Sequence, residues 1–279
     1  MTVAAEPAQK PRALIVTVYG LYAREAGGWL GVATIIRLLA ELGVDEPAVR
    51  SSISRLKRRG LLLAERSDGV AGYGLSDAAR AILDEGDRRI FERRRATVDE
   101  GWLLAVFSVP EFEREKRHQL RSRLAWLGFG TVSAGVWIAP AHLLDETADV
   151  LRRTGLTGYV DLFRAAHAGF GDVAAHVPQW WDLDRLQALY AEFLARYSRT
   201  LTSYRRRRTT DPRTAFADYV AALTDWRRLP FLDPGLAPEL LPRQWNGVRA
   251  ADTFVELQQR LAGPAHEFVE TLRAPQITA

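Results

Sequence analysis

Residues 45–59, DEPAVRSSISRLKRR, constrain this chain more than any other stretch. Asp45 can cap a helix through its side-chain oxygen, and Pro47 suits a first turn whose amide has no helical partner. Val49, Ile53 and Leu56 recur at helical spacing and form one apolar stripe. At about 100° per residue, Arg50, Ser51, Ser54 and Arg58 fall on the other side, with Arg55 on its flank. Gly60 ends the helix as a left-handed residue does. The result is a short helix with one buried face and one face of arginines and small hydroxyls. Such a face can enter a major groove, because it offers donors to phosphates and base edges and nothing bulky.

The flanking sequence gives that helix a setting. A helix is expected over 11–25, broken by Gly27 and Gly28. A very short strand follows at Trp29 and Leu30, then a helix over 32–42 that Gly43 ends. Residues 61–66 and 70–75 read as two strands around the Ser67, Asp68, Gly69 turn. Ser76 caps a further helix to about Phe91, with Ala78, Ala81, Ile82 and Ile90 expected to face inward. This order predicts a winged helix-turn-helix over 12–91, with Arg66 at the wing tip over a phosphate or near a minor groove. Charge agrees. Residues 1–95 hold 16 Lys+Arg against 12 Asp+Glu, and the remainder holds 22 of each, so the whole excess of +4 lies where a polyanion would bind. Arg88, Arg89, Arg93, Arg94 and Arg95 read as a solvated linker.

Beyond it, residues 102–109 (WLLAVFSV) form a continuous apolar run, the mark of a buried strand. A helix over 111–127, a strand over 131–138 bent at Gly135, a helix over 143–153 and a strand over 159–163 complete a ferredoxin-like α/β sandwich, domain 101–175. From 180 to 273 the chain reads as a helical C-terminal domain. Helices are expected over 183–197, from Asp211 to about Trp226, and as two short terminal pieces, 250–261 and 264–272. The fold class is α+β. No run is apolar enough to span a bilayer, the N-terminus lacks a signal peptide's apolar core, and cysteine is absent. A cytoplasmic protein without disulfides is expected.

Several segments taken together resemble the PaaX family of bacterial transcriptional repressors, named for the regulator of phenylacetic acid degradation. They are VTVYGLYAR, GW with LLAELGV, AVRSSISRLKRRGLL and YGLS; then W-x-L-x-x-F-x-x-P-E from Trp102 to Glu111, LAWLGFG and GVWIAP; then WDL at 181–183 ahead of LYAEFLARY. The resemblance covers residues 12–272. It implies a homodimeric repressor of a catabolic operon that binds a double-stranded DNA operator and is released by an aryl-CoA thioester. Carried over by position, Arg50, Ser51, Ser54, Arg55 and Arg58 belong to the recognition helix, and Arg66 and Tyr73 to the wing. No matched motif marks the effector pocket, and no other cofactor is implied.

The alternative is a metal-dependent nuclease, because the central domain resembles the ferredoxin-like fold of a CRISPR-adaptation nuclease. That type carries an aspartate where its first strand ends. Here the position reads Phe107, Ser108, Val109, Pro110, so neither catalysis nor a metal is expected. The five histidines lack metal-ligand spacing. Trp180 and Trp181 read as an aromatic wedge between domains. The run Arg205, Arg206, Arg207, Arg208 reads as a solvated interhelical loop. Asp182 or Asp184 reads as a helix cap.

Overall fold

The computed structural model describes residues 9–92 and 94–273. In chain order the first elements are α1 (Pro11–Val18), a π-turn (Tyr19–Ala23), β1 (Trp29–Gly31), α2 (Val32–Ala40), α3 (Glu46–Arg58), β2 (Leu62–Ser67), β3 (Val70–Leu75) and α4 (Asp77–Phe91). Then follow β4 (Trp102–Phe107), α5 (Arg114–Trp126), β5 (Gly130–Ser133), β6 (Val136–Pro140), α6 (Leu144–Arg153) and β7 (Val160–Ala165). The rest is helical: α7 (Val177–Trp180), α8 (Leu183–Arg206), α9 (Pro212–Trp226), α10 (Leu229–Leu232) and α11 (Asn246–Arg273). The architecture is mixed α+β. None of the described helices is long and apolar enough to cross a membrane.

These elements gather into two compact units. One comprises the chain up to Arg88, Phe193–Trp226 and the chain from Ala250; the other comprises Arg89–Glu192 and Arg227–Arg249. Residues 180–273 thus contribute to both.

In the first unit, α1 buries Leu14, Ile15 and Val18. It packs on α3 and on α9, where Thr17 and Thr224 share a buried hydroxyl–hydroxyl hydrogen bond of 2.8 Å. Tyr22 meets Phe216 of α9 at 5.8 Å between ring centroids. The small sheet has the order β1-β3-β2, all antiparallel. Asp68 and Gly69 both take positive φ (50° and 79°), the backbone a two-residue hairpin requires.

In the second unit the sheet order is β5-β6-β4-β7, again antiparallel throughout. Leu103, Ala105, Phe107, Trp137 and Ala139 point to one face and meet Leu120, Leu124 and Leu127 of the α5 segment and Val150 and Leu151 of α6. The other face carries Trp102, which packs against Trp180 and Trp181 (5.7 and 6.0 Å). The Trp181 indole donates to the Gly128 carbonyl at 2.9 Å. Asp182 caps α8 by accepting from the Arg185 amide.

Five expectations are corrected. Residues 131–138 are not one bent strand: Ala134 and Gly135 turn, and β5 pairs with β6 as a hairpin. Ala-Gly is a weak turn signal inside a β-rich run. The helix expected to stop at Tyr197 continues to Arg206, because Leu201 and Tyr204 keep the apolar period and are buried. Arg205 and Arg206 are therefore its last turn, not loop. The two terminal helices are one, α11, with Pro264 inside. Proline costs an interior helix about 3 kcal/mol. Burial of Leu257, Leu261, Ala265 and Val269, all fully enclosed, offsets that cost, at roughly 1.5–3 kcal/mol per large side chain. On α4 the inward residues are Ala79 and Gly86, with Leu83 half-buried; Ala78, Ala81 and Ile82 are exposed. Small residues set that face, since Leu83 packs against Gly20 of the π-turn.

The arginine linker is not simply solvated either. Arg89 pairs with Glu146 (2.8 Å), donates to the Trp126 and Leu127 carbonyls and lies over the Trp126 and Phe231 rings. Arg95 reaches the buried Asp233 (3.3 Å), which also accepts from the Tyr190 hydroxyl and the Gly235 amide. Arg94 pairs with Glu100. Arg93 lies outside the described residues, as does the tail before Gln9.

Candidate nucleic-acid interface

Local chemistry sets both ends of α3. The Asp45 carboxylate accepts from the Ala48 amide at 2.8 Å, and Pro47 occupies the first turn. At the other end Gly60 takes φ 67°. The Leu61 amide then reaches the Leu56 carbonyl (3.0 Å) and the Gly60 amide the Lys57 carbonyl (2.9 Å), the paired bonds of a Schellman motif. Gly43 ends the preceding helical segment the same way, through Val44 to Leu39 and Gly43 to Ala40.

The two faces separate as the periodicity predicts. Val49, Ser52, Ile53 and Leu56 are buried; Arg50, Ser51, Ser54, Arg55 and Arg58 are all exposed on one helix. Arg50 is held by Glu46 at 2.7 Å, but both side chains are more than half exposed, so the pair is weak and exchangeable. No described carboxylate pairs with Arg55 or Arg58. Lys57 and Arg59 are also exposed at this end and belong with the cationic surface, although their place on the helix gives neither of them the central direction. Ser52 is the hydroxyl of the run that turns inward.

The hairpin residues differ from one another. Arg66 is exposed beside the turn and donates to the Gly69 carbonyl at 3.0 Å, which braces the tip. Tyr73 sits mid-strand on β3, between Leu30 and Ala64, with a half-buried side chain. Its carbonyl accepts from the buried Tyr19 hydroxyl (2.9 Å). Burial first, then Tyr73 and Glu65, push the Tyr19 hydroxyl pKa well up, so it stays a donor.

Other candidate groups are engaged. Arg205 pairs with Glu256 and Arg207 lies over the Tyr204 ring. Glu111 pairs with Arg117 at 2.7 Å. No cluster of three or more His, Cys, Asp or Glu able to hold a metal occurs among the described residues.

Three family models match the chain in succession: PaaX-like protein over residues 10–79, PaaX protein central Cas2-like domain over 95–177, and PaaX-like protein C-terminal domain over 181–271. The chain belongs to the PaaX-like family. Transcriptional repressor PaaX of Escherichia coli (strain K12) is 26% identical to this PaaX-like chain over 261 residues, 92% of this chain and 82% of that protein. A solved structure, uncharacterized protein Rv0674 from Mycobacterium tuberculosis, shares its fold with a TM-score of 0.57 at 23% identity, covering 90% of this chain and 99% of the other.

Proposed function

We propose that this PaaX-like protein is a DNA-binding transcriptional repressor that reads its operator with α3. The carrying observation is the outer face of α3, where Arg50, Ser51, Ser54, Arg55 and Arg58 stand exposed on a helix locked at both ends. In this reading α2 and α3 are the helix-turn-helix, and β2 and β3 are the wing that brings Arg66 to a phosphate. Tyr73 braces the wing from its half-buried position. The four-stranded unit, with its β-α-β-β-α-β order, is ferredoxin-like. Two copies would set two reading helices on half-sites about one helical turn, or a multiple, apart. An aryl-CoA thioester would release the operon by binding one dimer state more tightly than the other. The protein would act in the cytoplasm.

The test begins with DNA fragments retained by the purified protein. Arg58→Ala is expected to weaken binding to such a fragment by about tenfold to a hundredfold, as loss of a base or phosphate contact does, while circular dichroism stays native. Complex stoichiometry reads the dimer, and added aryl-CoA thioester should release wild-type complex. Wild-type affinity in Arg58→Ala and in Arg55→Ala would remove α3 from the interface. Nothing favours the nuclease reading: β4 runs out into Phe107, Ser108, Val109, Pro110, and Glu111 is tied to Arg117.

A further inference from the structure

The first turn of α5 follows a short acidic segment, but the helix itself is strongly cationic. Arg114, Lys116, Arg117, Arg121 and Arg123 stand against one carboxylate, Glu115. Leu120 and Leu124 are fully buried and fix which way the helix turns. At helical spacing, Arg114, Arg117 and Arg121 then share one flank with His118. Their span is about 10 Å at 1.5 Å per residue. Arg117 is tied to Glu111 and to the Val109 carbonyl. Arg114, Arg121 and Arg123 are exposed, and no described carboxylate pairs with them.

The other flank adds one guanidinium, Arg123. An open cleft of about 460 Å³ there is lined by His118, Gln119, Ser122, Arg123 and Thr154 together with the apolar Trp126 and Leu156, with no carboxylate in its wall. Several exposed arginines on other helices are matched within one helical turn, as in Arg152–Asp149, Arg260–Glu256 and Arg273–Glu270. Like charges one turn apart destabilise a helix. Here they are left unbalanced on a helix whose inner face is already satisfied by leucines.

We propose that α5 is a second contact for duplex DNA, one that grips the phosphate backbone and reads no sequence. The chemistry is that of unpaired guanidinium groups toward phosphate oxygens, assisted by the neutral donors Gln119 and Ser122. The proposal rests on the DNA-binding reading of α3, but its signature differs. Base contacts set preference among sequences, whereas phosphate contacts set the salt dependence common to all of them.

The experiment uses the full chain and fluorescence anisotropy on two duplexes, a retained fragment and one of arbitrary sequence, from 50 to 300 mM KCl. The triple variant Arg114→Ala/Arg121→Ala/Arg123→Ala is expected to flatten the plot of log K against log salt by about 2–3 and to weaken both duplexes equally. Changing the same three residues to lysine should restore most of the slope. Arg58→Ala should instead reduce the preference between the duplexes. The single variant Arg121→Glu, which leaves the buried leucines untouched, keeps the test valid if the triple variant folds poorly. A wild-type slope in these variants overturns the proposal and leaves the α3 reading standing. A loss confined to one sequence overturns it too. Wild-type protein that binds neither duplex sinks the α3 reading itself.

Discussion

Trp29 lies so close over β3 that a Cβ on Gly72 would stand 2.3 Å from its indole ring and 2.5 Å from the Leu30 carbonyl oxygen. One of those neighbours is backbone, so it cannot simply swing away. Gly72→Ala is therefore expected to lower stability by about 1–3 kcal/mol, the usual cost of overpacking, read as a lower urea midpoint with an unchanged slope. No local pattern announces that need, because it arises only when β1 is laid on β3. The same holds for Tyr73: the motif put it on the hairpin, but its mid-strand pairing decides that its ring is half-buried. By contrast, the exposure of Arg50, Ser51, Ser54, Arg55 and Arg58 is legible in the sequence. Their direction follows from helical periodicity once Val49, Ile53 and Leu56 claim the inside. Ser52 obeys the same rule: about 60° from Val49 around the helix it falls beside Leu56, and it is buried with them.

Elements whose ends are set locally were read well, and elements held by distant partners were not. Asp45, Gly43 and Gly60 cap or stop helices with bonds to residues a few places away. Pro264 reads as a break because the burial that carries α11 through it comes from other helices. The same helix carries an acid-sensitive clasp. Hydrogen bonds from Arg205, then Arg260, hold the Glu256 carboxyl at about 2, below its ordinary 4.5. A lowered carboxyl pKa adds stability that is complete above pH 4.5 and disappears as pH falls towards 2. Arg205 is more than half exposed and Glu256 about a quarter (26%), so solvent screens the pair and the gain is small. The melting temperature of wild type should fall between pH 5 and 2.5 more steeply than that of Glu256→Gln. Equal slopes would mean that the clasp adds nothing.

At the scale of the molecule, the division of the chain is the feature that composition could not foretell. Residues 12–91 read as self-sufficient because their helices and hairpin are locally complete. Yet α1 spends its buried face on two sides, towards α3 and towards α9, and the Thr17–Thr224 bond and the Tyr22–Phe216 contact lie on the second. A fragment ending near residue 95 is expected to be markedly less stable than the same segment in the full chain. Far-ultraviolet melting of the two checks this; a fragment melting at the full-length temperature would show that α9 is dispensable. The chain must therefore wait during its own manufacture. At roughly 5–20 residues per second, the stretch from Thr17 to Thr224 takes on the order of ten to forty seconds to synthesise. Until then the N-terminal segment leaves the ribosome with an oily flank uncovered, a client for whatever chaperone stands at the exit.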